Sequence, residues 1–269
     1  MRIPFIKMHG LGNDFVVVDG RTEPVPPLGT STRAALADRH TGIGCDQLIL
    51  LEPSETADLR MRIFNPDGQE ASACGNAARA VGLLAGQATS IETKGGIIHA
   101  RREGEAVAVD MGHPRFDWQD IPLAYPLDTA AMPVGWEGLH SPAAVNVGNP
   151  HVVFFVDDVA GVPLHRLGPI VERDPLFPDA VNVSIAQITG PASLELRVWE
   201  RGAGLTRACG TGACAAAVIA LRQKRLASPV AVSLPGGTLH ITWHDDGPIT
   251  MTGPAAESFR GSFELEDYL

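Results

Sequence analysis

Arg62-Ile-Phe-Asn-Pro-Asp-Gly-Gln-Glu-Ala-Ser-Ala-Cys-Gly-Asn-Ala-Ala-Arg-Ala-Val-Gly-Leu-Leu-Ala85 and Arg197-Val-Trp-Glu-Arg-Gly-Ala-Gly-Leu-Thr-Arg-Ala-Cys-Gly-Thr-Gly-Ala-Cys-Ala-Ala-Ala-Val-Ile-Ala220 align without a gap. The arginine, Ala-Cys-Gly and the later apolar positions coincide, 135 positions apart. Two further blocks repeat in the same order. Gly12-Asn-Asp-Phe-Val-Val-Val18 matches Gly148-Asn-Pro-His-Val-Val-Phe154, and Gly95-Gly-Ile-Ile-His99 matches Gly236-Gly-Thr-Leu-His240. Offsets close to half of a 269-residue chain indicate an internal duplication. Two copies are too few for a solenoid, so two similar domains related by a pseudo-two-fold axis are expected.

Each half reads alike. A strand (15–19; 152–157) precedes a helical or mixed stretch (32–40; 165–173). Two strands follow (48–51 and 59–65; 181–188 and 194–200), then a long helix, then a hairpin (90–110; 230–251). Arg102-Glu-Gly-Glu105 and His244-Asp-Asp-Gly247 suit the hairpin turns. The long helices, 77–85 and 212–221, are apolar nearly all round, which marks a helix as buried. The expected fold is α+β: two pseudo-symmetric α/β domains, each a mostly antiparallel, curled, barrel-like sheet around one central helix. The first domain is expected at 1–117, joined by a C-terminal strand at 259–269, and the second at 118–258.

Composition narrows the function. Hydrophobic residues make up 45% and charged residues 19%, consistent with a folded core and against disorder. A net charge of −10, with arginines and lysines scattered, argues against nucleic acid or an anionic membrane surface as partner. No apolar run reaches the ~18 residues of a membrane span, and the first residues do not resemble a signal peptide. Four cysteines are too few and too dispersed for a disulfide scaffold, so a reducing cytoplasm is the expected compartment. No Cys/His spacing suits zinc, and no phosphate- or dinucleotide-binding loop is present. Lys7, Lys94 and Lys224 lack the context for a pyridoxal Schiff base. No metal and no organic cofactor is expected.

Ala-Cys-Gly places Cys74 and Cys209 at the start of the two buried helices. Unpaired N–H groups and the helix dipole there favour negative charge, so lowered thiol pKa values are expected at both. The amides that follow, at Gly75-Asn76 and Gly210-Thr211, suit a carboxylate. If the pseudo-two-fold brings both helix ends to one ligand, each face of that ligand meets a thiol. One thiolate can then remove a proton α to a carboxylate while the opposite thiol delivers one, as a two-base racemase or epimerase requires. Cys45 and Cys214 read as core residues.

The motifs from Lys7-Met-His-Gly-Leu-Gly-Asn-Asp-Phe15 to Met251-Thr-Gly-Pro-Ala255 resemble those of the diaminopimelate epimerase family. They include Asp38-Arg-His-Thr-Gly-Ile-Gly-Cys-Asp-Gln47, Phe64-Asn-Pro-Asp-Gly68, Gly148-Asn-Pro-His151, Val181-Asn-Val183 and Trp199-Glu-Arg-Gly-Ala-Gly204. The resemblance implies cofactor-independent interconversion of LL- and meso-diaminopimelate, in lysine and peptidoglycan precursor biosynthesis. It implies an acid/base pair at Cys74 and Cys209, and a carboxylate cradle at Gly75, Asn76, Gly210 and Thr211. Asn65, Asn149, Asn182 and Arg201 would hold the distal end of the substrate, with Asn13 and Gln47 as further binding residues. Glu200 and His151 would hold the amine and tune the thiols. It also implies a homodimer, with Phe259 a plausible interface aromatic. Asp14 and Asp46 are assigned no chemistry. One departure is Gly75-Asn-Ala-Ala-Arg-Ala80, where the family pattern has a glycine at position 77 and a cysteine at 80; a helical alanine without positive φ should be harmless at 77.

Three rivals remain. A proline or hydroxyproline racemase would also use two cysteines, but would not need Arg201 and three asparagines to grip a second amino-acid end. A thiol redox protein would leave the binding residues idle and lacks Cys-x-x-Cys. A non-catalytic amino-acid-binding protein would tolerate loss of either cysteine.

Overall fold

The computed structural model describes residues 1–71, 74–244 and 246–269. The chain divides into two units, Met1–Val109 with Gly253–Leu269, and Asp110–Thr252. The first contains β1 (Arg2–Gly10), β2 (Asn13–Asp19), α1 (Thr30–Ala37), β3 (Gln47–Glu52), β4 (Leu59–Phe64), β5 (Glu70–Ala71), α2 (Gly75–Ala85), β6 (Thr89–Thr93), β7 (Gly96–Glu103) and β8 (Ala106–Asp110). The second begins with a short hairpin, β9 (Gly135–Trp136) and β10 (Leu139–His140). It continues through β11 (Ala143–Asn146), β12 (Pro150–Phe155), α3 (Leu164–Glu172), β13 (Asn182–Gly190), β14 (Ser193–Glu200) and β15 (Gly204–Leu205). It ends with α4 (Gly210–Arg222), β16 (Val230–Leu234), β17 (Gly237–Thr242) and β18 (Thr250–Pro254). The last strand, β19 (Ala256–Glu264), returns to the first unit and pairs antiparallel with β1.

The duplication is written into the hydrogen bonds. In the first unit β1–β2, β3–β4, β4–β5, β6–β7 and β7–β8 pair antiparallel, while β2–β3 and β4–β6 pair parallel. In the second, β11–β12, β13–β14, β14–β15, β16–β17 and β17–β18 are antiparallel, while β12–β13 and β14–β16 are parallel. The sequence of pairings is the same in both. The fold is α+β and mostly antiparallel, as the patterning indicated.

Each unit sandwiches its sheet between two helices. Along β2, Phe15, Val16, Val17 and Val18 are all buried, because alternate side chains point to opposite faces and both faces are covered. Val16 and Val18 pack with Leu36 and Ala37 of α1, Leu48, Leu50 and Phe64. In the second unit Val152, Phe154, Val183 and Ile185 pack with Leu164, Leu167 and Val171 of α3. The other helices are the buried ones. In α2 every residue from Asn76 to Gly82 is buried, and in α4 every residue from Gly212 to Ala220. No helix among the described residues is long and apolar enough to cross a membrane.

Three local readings change. The 90–110 and 230–251 segments each form three strands rather than one hairpin. Lys94-Gly95 and Pro235-Gly236 close extra two-residue turns, between the pairs Thr93–Gly96 and Leu234–Gly237. The glycines that open the return strands, Gly96 (φ 123°) and Gly237 (φ 138°), sit where only glycine is unstrained. The expected His244–Gly247 turn includes Asp245, which lies outside the described residues, as do Ser72 and Ala73 of the first repeat. Strand β1 escaped the pattern because its pairing slips between Lys7 and Met8, so Ile3, Phe5 and Met8 break strict alternation.

Close packing fixes the path of α2. A Cβ built on Gly82 would lie 2.8 Å from both Ala100 Cβ and Val107 Cγ1. In an exposed helix Gly→Ala stabilises, but here the added methyl has no room. Gly82→Ala is expected to destabilise the protein by about 1–3 kcal/mol in urea titration; a stability gain would refute this account of the packing.

Candidate active site

Both repeat cysteines are helix N-caps. Cys74 and Cys209 have extended backbones, and their sulfurs accept from Ala77 N (3.4 Å) and Gly212 N (3.3 Å), two residues into α2 and α4. An oxygen normally fills this position and satisfies one of the helix's orphan donors. Gly75-Asn76 and Gly210-Thr211 supply the first two amides of each helix, which have no partner inside it. Ala77 has an ordinary helical backbone, so the departure from glycine there adds no strain.

The expected lowering of the Cys209 pKa is overturned. Complete burial raises it well above the ordinary thiol value, and the negative charge of Glu200 raises it further. Hydrogen bonds from Thr211 and the Gly212 amide oppose this but do not prevail. The helix end stabilises a thiolate only by a fraction of what its loss of solvent costs. Cys45 is likewise pushed up, to about 11, by burial, and stays a core thiol.

In the first unit Asn13 links the site. Its Oδ1 accepts from Asn76 Nδ2 (3.0 Å) and faces the Cys74 thiol at 3.9 Å. Its Nδ2 donates to Asp46 Oδ2 (3.0 Å). A carboxylate only accepts, so Asp46 dictates which end of the Asn13 amide faces Cys74. Arg39 bridges Asp46 (2.6 Å) and Asp14 (2.5 Å), and Lys7 pairs with Asp14 (2.5 Å). Burial alone would raise the Asp14 pKa, but Arg39 and Lys7 override it and bring it to about 2. Sequence reasoning gave Asp14 and Asp46 no chemistry, only the orienting of loops; the readable signal for more was their position beside Asn13 and Gln47. Gln47 and Asn65 form a second group, with Gln47 Nε2 3.4 Å from Asn65 Oδ1. Gln47 Oε1 is buried and accepts no hydrogen bond among the described residues.

In the second unit the residues gather along the starts of β12 and β13 and the end of β14. His151 lies opposite Asn182 in the β12–β13 pairing. Asn182 is buried and already engaged: its Nδ2 donates to Pro150 O (2.8 Å) and its Oδ1 accepts from Arg201 N (2.9 Å). Arg201 is exposed and donates to Asp179 O (2.8 Å). Glu200 accepts from Thr206 Oγ1 (2.6 Å), a partner the sequence did not reveal. Thr211 Oγ1 lies 3.5 Å from the Cys209 sulfur. Asn149 Oδ1 lies 3.0 Å from His151 Nε2, while His151 Nδ1 has no partner among the described residues.

The diaminopimelate epimerase family model matches residues 5–116 and 143–257. The chain belongs to the diaminopimelate epimerase family. Membership makes it an isomerase. A diaminopimelate epimerase of Erythrobacter litoralis is 63% identical over 268 residues, with all of both chains covered. One from Rhizorhabdus wittichii is 58% identical over 269 residues, covering 100% of this chain and 98% of its own. Among solved structures, a PhzF-family phenazine biosynthesis protein of Bacillus anthracis superposes with a TM-score of 0.70 at 16% identity, covering 98% of this chain and 99% of its own. A hydroxyproline epimerase of Agrobacterium vitis gives 0.69 at 15% identity, covering 97% and 91%. At such identities the likeness is one of fold.

Burial, reinforced by the charge of Arg201, lowers the His151 pKa to about 3. The folded protein therefore keeps this imidazole neutral where the unfolded chain, with a pKa of about 6.5, takes up a proton. The contribution is fully present above pH ~6.5 and is lost as pH falls toward 3. Through this group the wild type is expected to lose about 2 kcal/mol between pH 7 and pH 5. In His151→Gln the pH dependence of the urea midpoint should be shallower by that amount; equal slopes would disprove the assignment.

Proposed function

We propose that the protein interconverts LL- and meso-2,6-diaminopimelate by two-base proton transfer at the α-carbon, one of Cys74 and Cys209 removing a proton from one face and the other delivering its own to the opposite face. The observation that carries this reading is the pair of sulfur N-caps at repeat-equivalent helix ends. Each sulfur stands beside amides able to take a carboxylate.

One cysteine, as thiolate, takes the α-hydrogen as a proton and becomes a thiol. The electron pair left on carbon is shared with the carboxylate, whose developing charge the helix amides stabilise. The other cysteine gives its thiol proton to the opposite face of the carbon and is left as the thiolate. The raised pKa of Cys209 keeps it a thiol at neutral pH, ready to donate. In the reverse direction Cys209 must act as base, and the Thr211 and Gly212 donors then hold its charge.

The distal amino-acid end falls to the remaining residues. Arg201 offers a planar fork for the distal carboxylate, whereas Glu200, beside the Cys209 thiol, accepts from the ammonium group at the reacting carbon. Asn65, Asn149, Gln47 and Asn13 can donate and accept at one stereocentre. Asn182, with one N–H left to give, serves mainly to hold Arg201. Neutral His151 holds Asn149 and leaves Nδ1 to accept. We further propose that the enzyme works in the cytoplasm as a homodimer, without metal or organic cofactor.

Purified protein should release the α-proton of LL- and meso-diaminopimelate into deuterated water. Cys74→Ser and Cys209→Ser should each lower epimerisation by about 100-fold or more. Full epimerisation in either single variant would sink the two-base reading. Activity should survive exhaustive chelation and be abolished by iodoacetamide, with Cys209 alkylated faster as pH rises above 9.

A further inference from the structure

Helix α3 carries an anomaly in its pattern. Leu164, Leu167, Gly168, Val171 and Glu172 fall on one buried face at helical spacing, and the last is a carboxylic acid only 5% exposed. No ion pair accompanies it among the described residues. Its two oxygens are taken by two neutral donors: Oε2 by Trp199 Nε1 (2.7 Å) and Oε1 by Gly202 N (2.9 Å). A buried carboxylate is costly, and it persists where its oxygens have something to hold.

What it holds is the turn that follows β14. Three consecutive amides there are anchored: Arg201 N on Asn182 Oδ1 (2.9 Å), Gly202 N on Glu172 (2.9 Å) and Ala203 N on Glu200 O (3.0 Å). The indole is fixed from behind, since a Cβ on Gly168 would lie 2.4 Å from the Trp199 ring. Glu172 therefore grips residues on both sides of Glu200 and Arg201.

We infer that Glu172 is a positioning residue that sets the orientation of the Glu200–Arg201 turn and so the grip on the distal end of the substrate. This rests on the roles proposed above for Glu200 and Arg201. The requirement is for two acceptors. A glutamine amide has one, and its NH₂ would face the other N–H.

Glu172→Gln is expected to raise the KM for LL-diaminopimelate about tenfold, because the distal grip of Arg201 contributes to ground state and transition state alike, and to lower kcat by less than that, through Glu200 beside Cys209. Hydrogen exchange at the Gly202 amide should quicken by about tenfold or more. Trp199→Phe removes one donor, so one acceptor then suffices. Trp199→Phe/Glu172→Gln should match Trp199→Phe within about threefold in KM, with Gly202 equally protected. Wild-type KM and exchange in Glu172→Gln, or a double variant as impaired relative to Trp199→Phe as Glu172→Gln is to wild type, would overturn the inference. If Glu172→Gln does not fold, the comparison of Trp199→Phe with the double variant decides alone. If the wild type fails to turn over diaminopimelate, the functional reading falls, while exchange at Gly202 still tests Glu172.

Discussion

A largely buried helix has to find partners for its first-turn amides, and in α2 and α4 a sulfur takes the third of them. The buried stretches of α2 and α4 are rich in alanine and glycine, so their sheets pack close, while Cys74, Gly75 and Thr211 at the helix starts stay partly exposed. Cys74 and Cys209 fill the capping position with a side chain that is a weak acceptor but a titratable one. The cap and the titratable thiol are one atom. Around it, Gly82 and Gly212 keep the helices tight against the strands, and the strands in turn deliver Asn13, Gln47, His151 and Asn182 from their first two residues, with Asn149 in the bend just before β12.

The two units solve this with the same succession of strand pairings but different electrostatics. Beside Asn13, the charges of Lys7, Asp14, Arg39 and Asp46 are paired with one another, and Asp46 fixes which end of the Asn13 amide faces Cys74. In the second unit the charge near the sulfur is Glu200, and Cys209 is held as a thiol. Repetition supplied equivalent positions, and different residues surround them: Cys74 is partly exposed beside Asn13, and Cys209 is buried beside Glu200.

The fold and most candidate residues were legible because the duplication is short-range information seen twice. One cysteine before one apolar helix says little; two at matched positions mark both helix starts. The continuous apolar run at 15–18 and the alternation at 194–200 were readable as strands. Strand β1 was not, because a slip in pairing erases its period. The Cys209 pKa was misjudged because a helix terminus is visible in sequence and the degree of burial is not. The holds of Asp46 on Asn13 and of Glu172 on Trp199 and Gly202 were missed because the partners are distant in sequence, and Thr206, six residues from Glu200, carries no pattern that marks it. Glu172 alone left a trace, an acidic residue on an apolar helical face.

The pairing of β1 with β19 has a consequence for how the chain is made. The second unit is continuous in sequence and has all of its inner strands once residue 252 has been synthesised. The first is not, since β1 keeps an open edge until the final strand leaves the ribosome. The half built first is therefore completed last, and a chain that stops short of β19 exposes a templating edge beside a fully formed second unit.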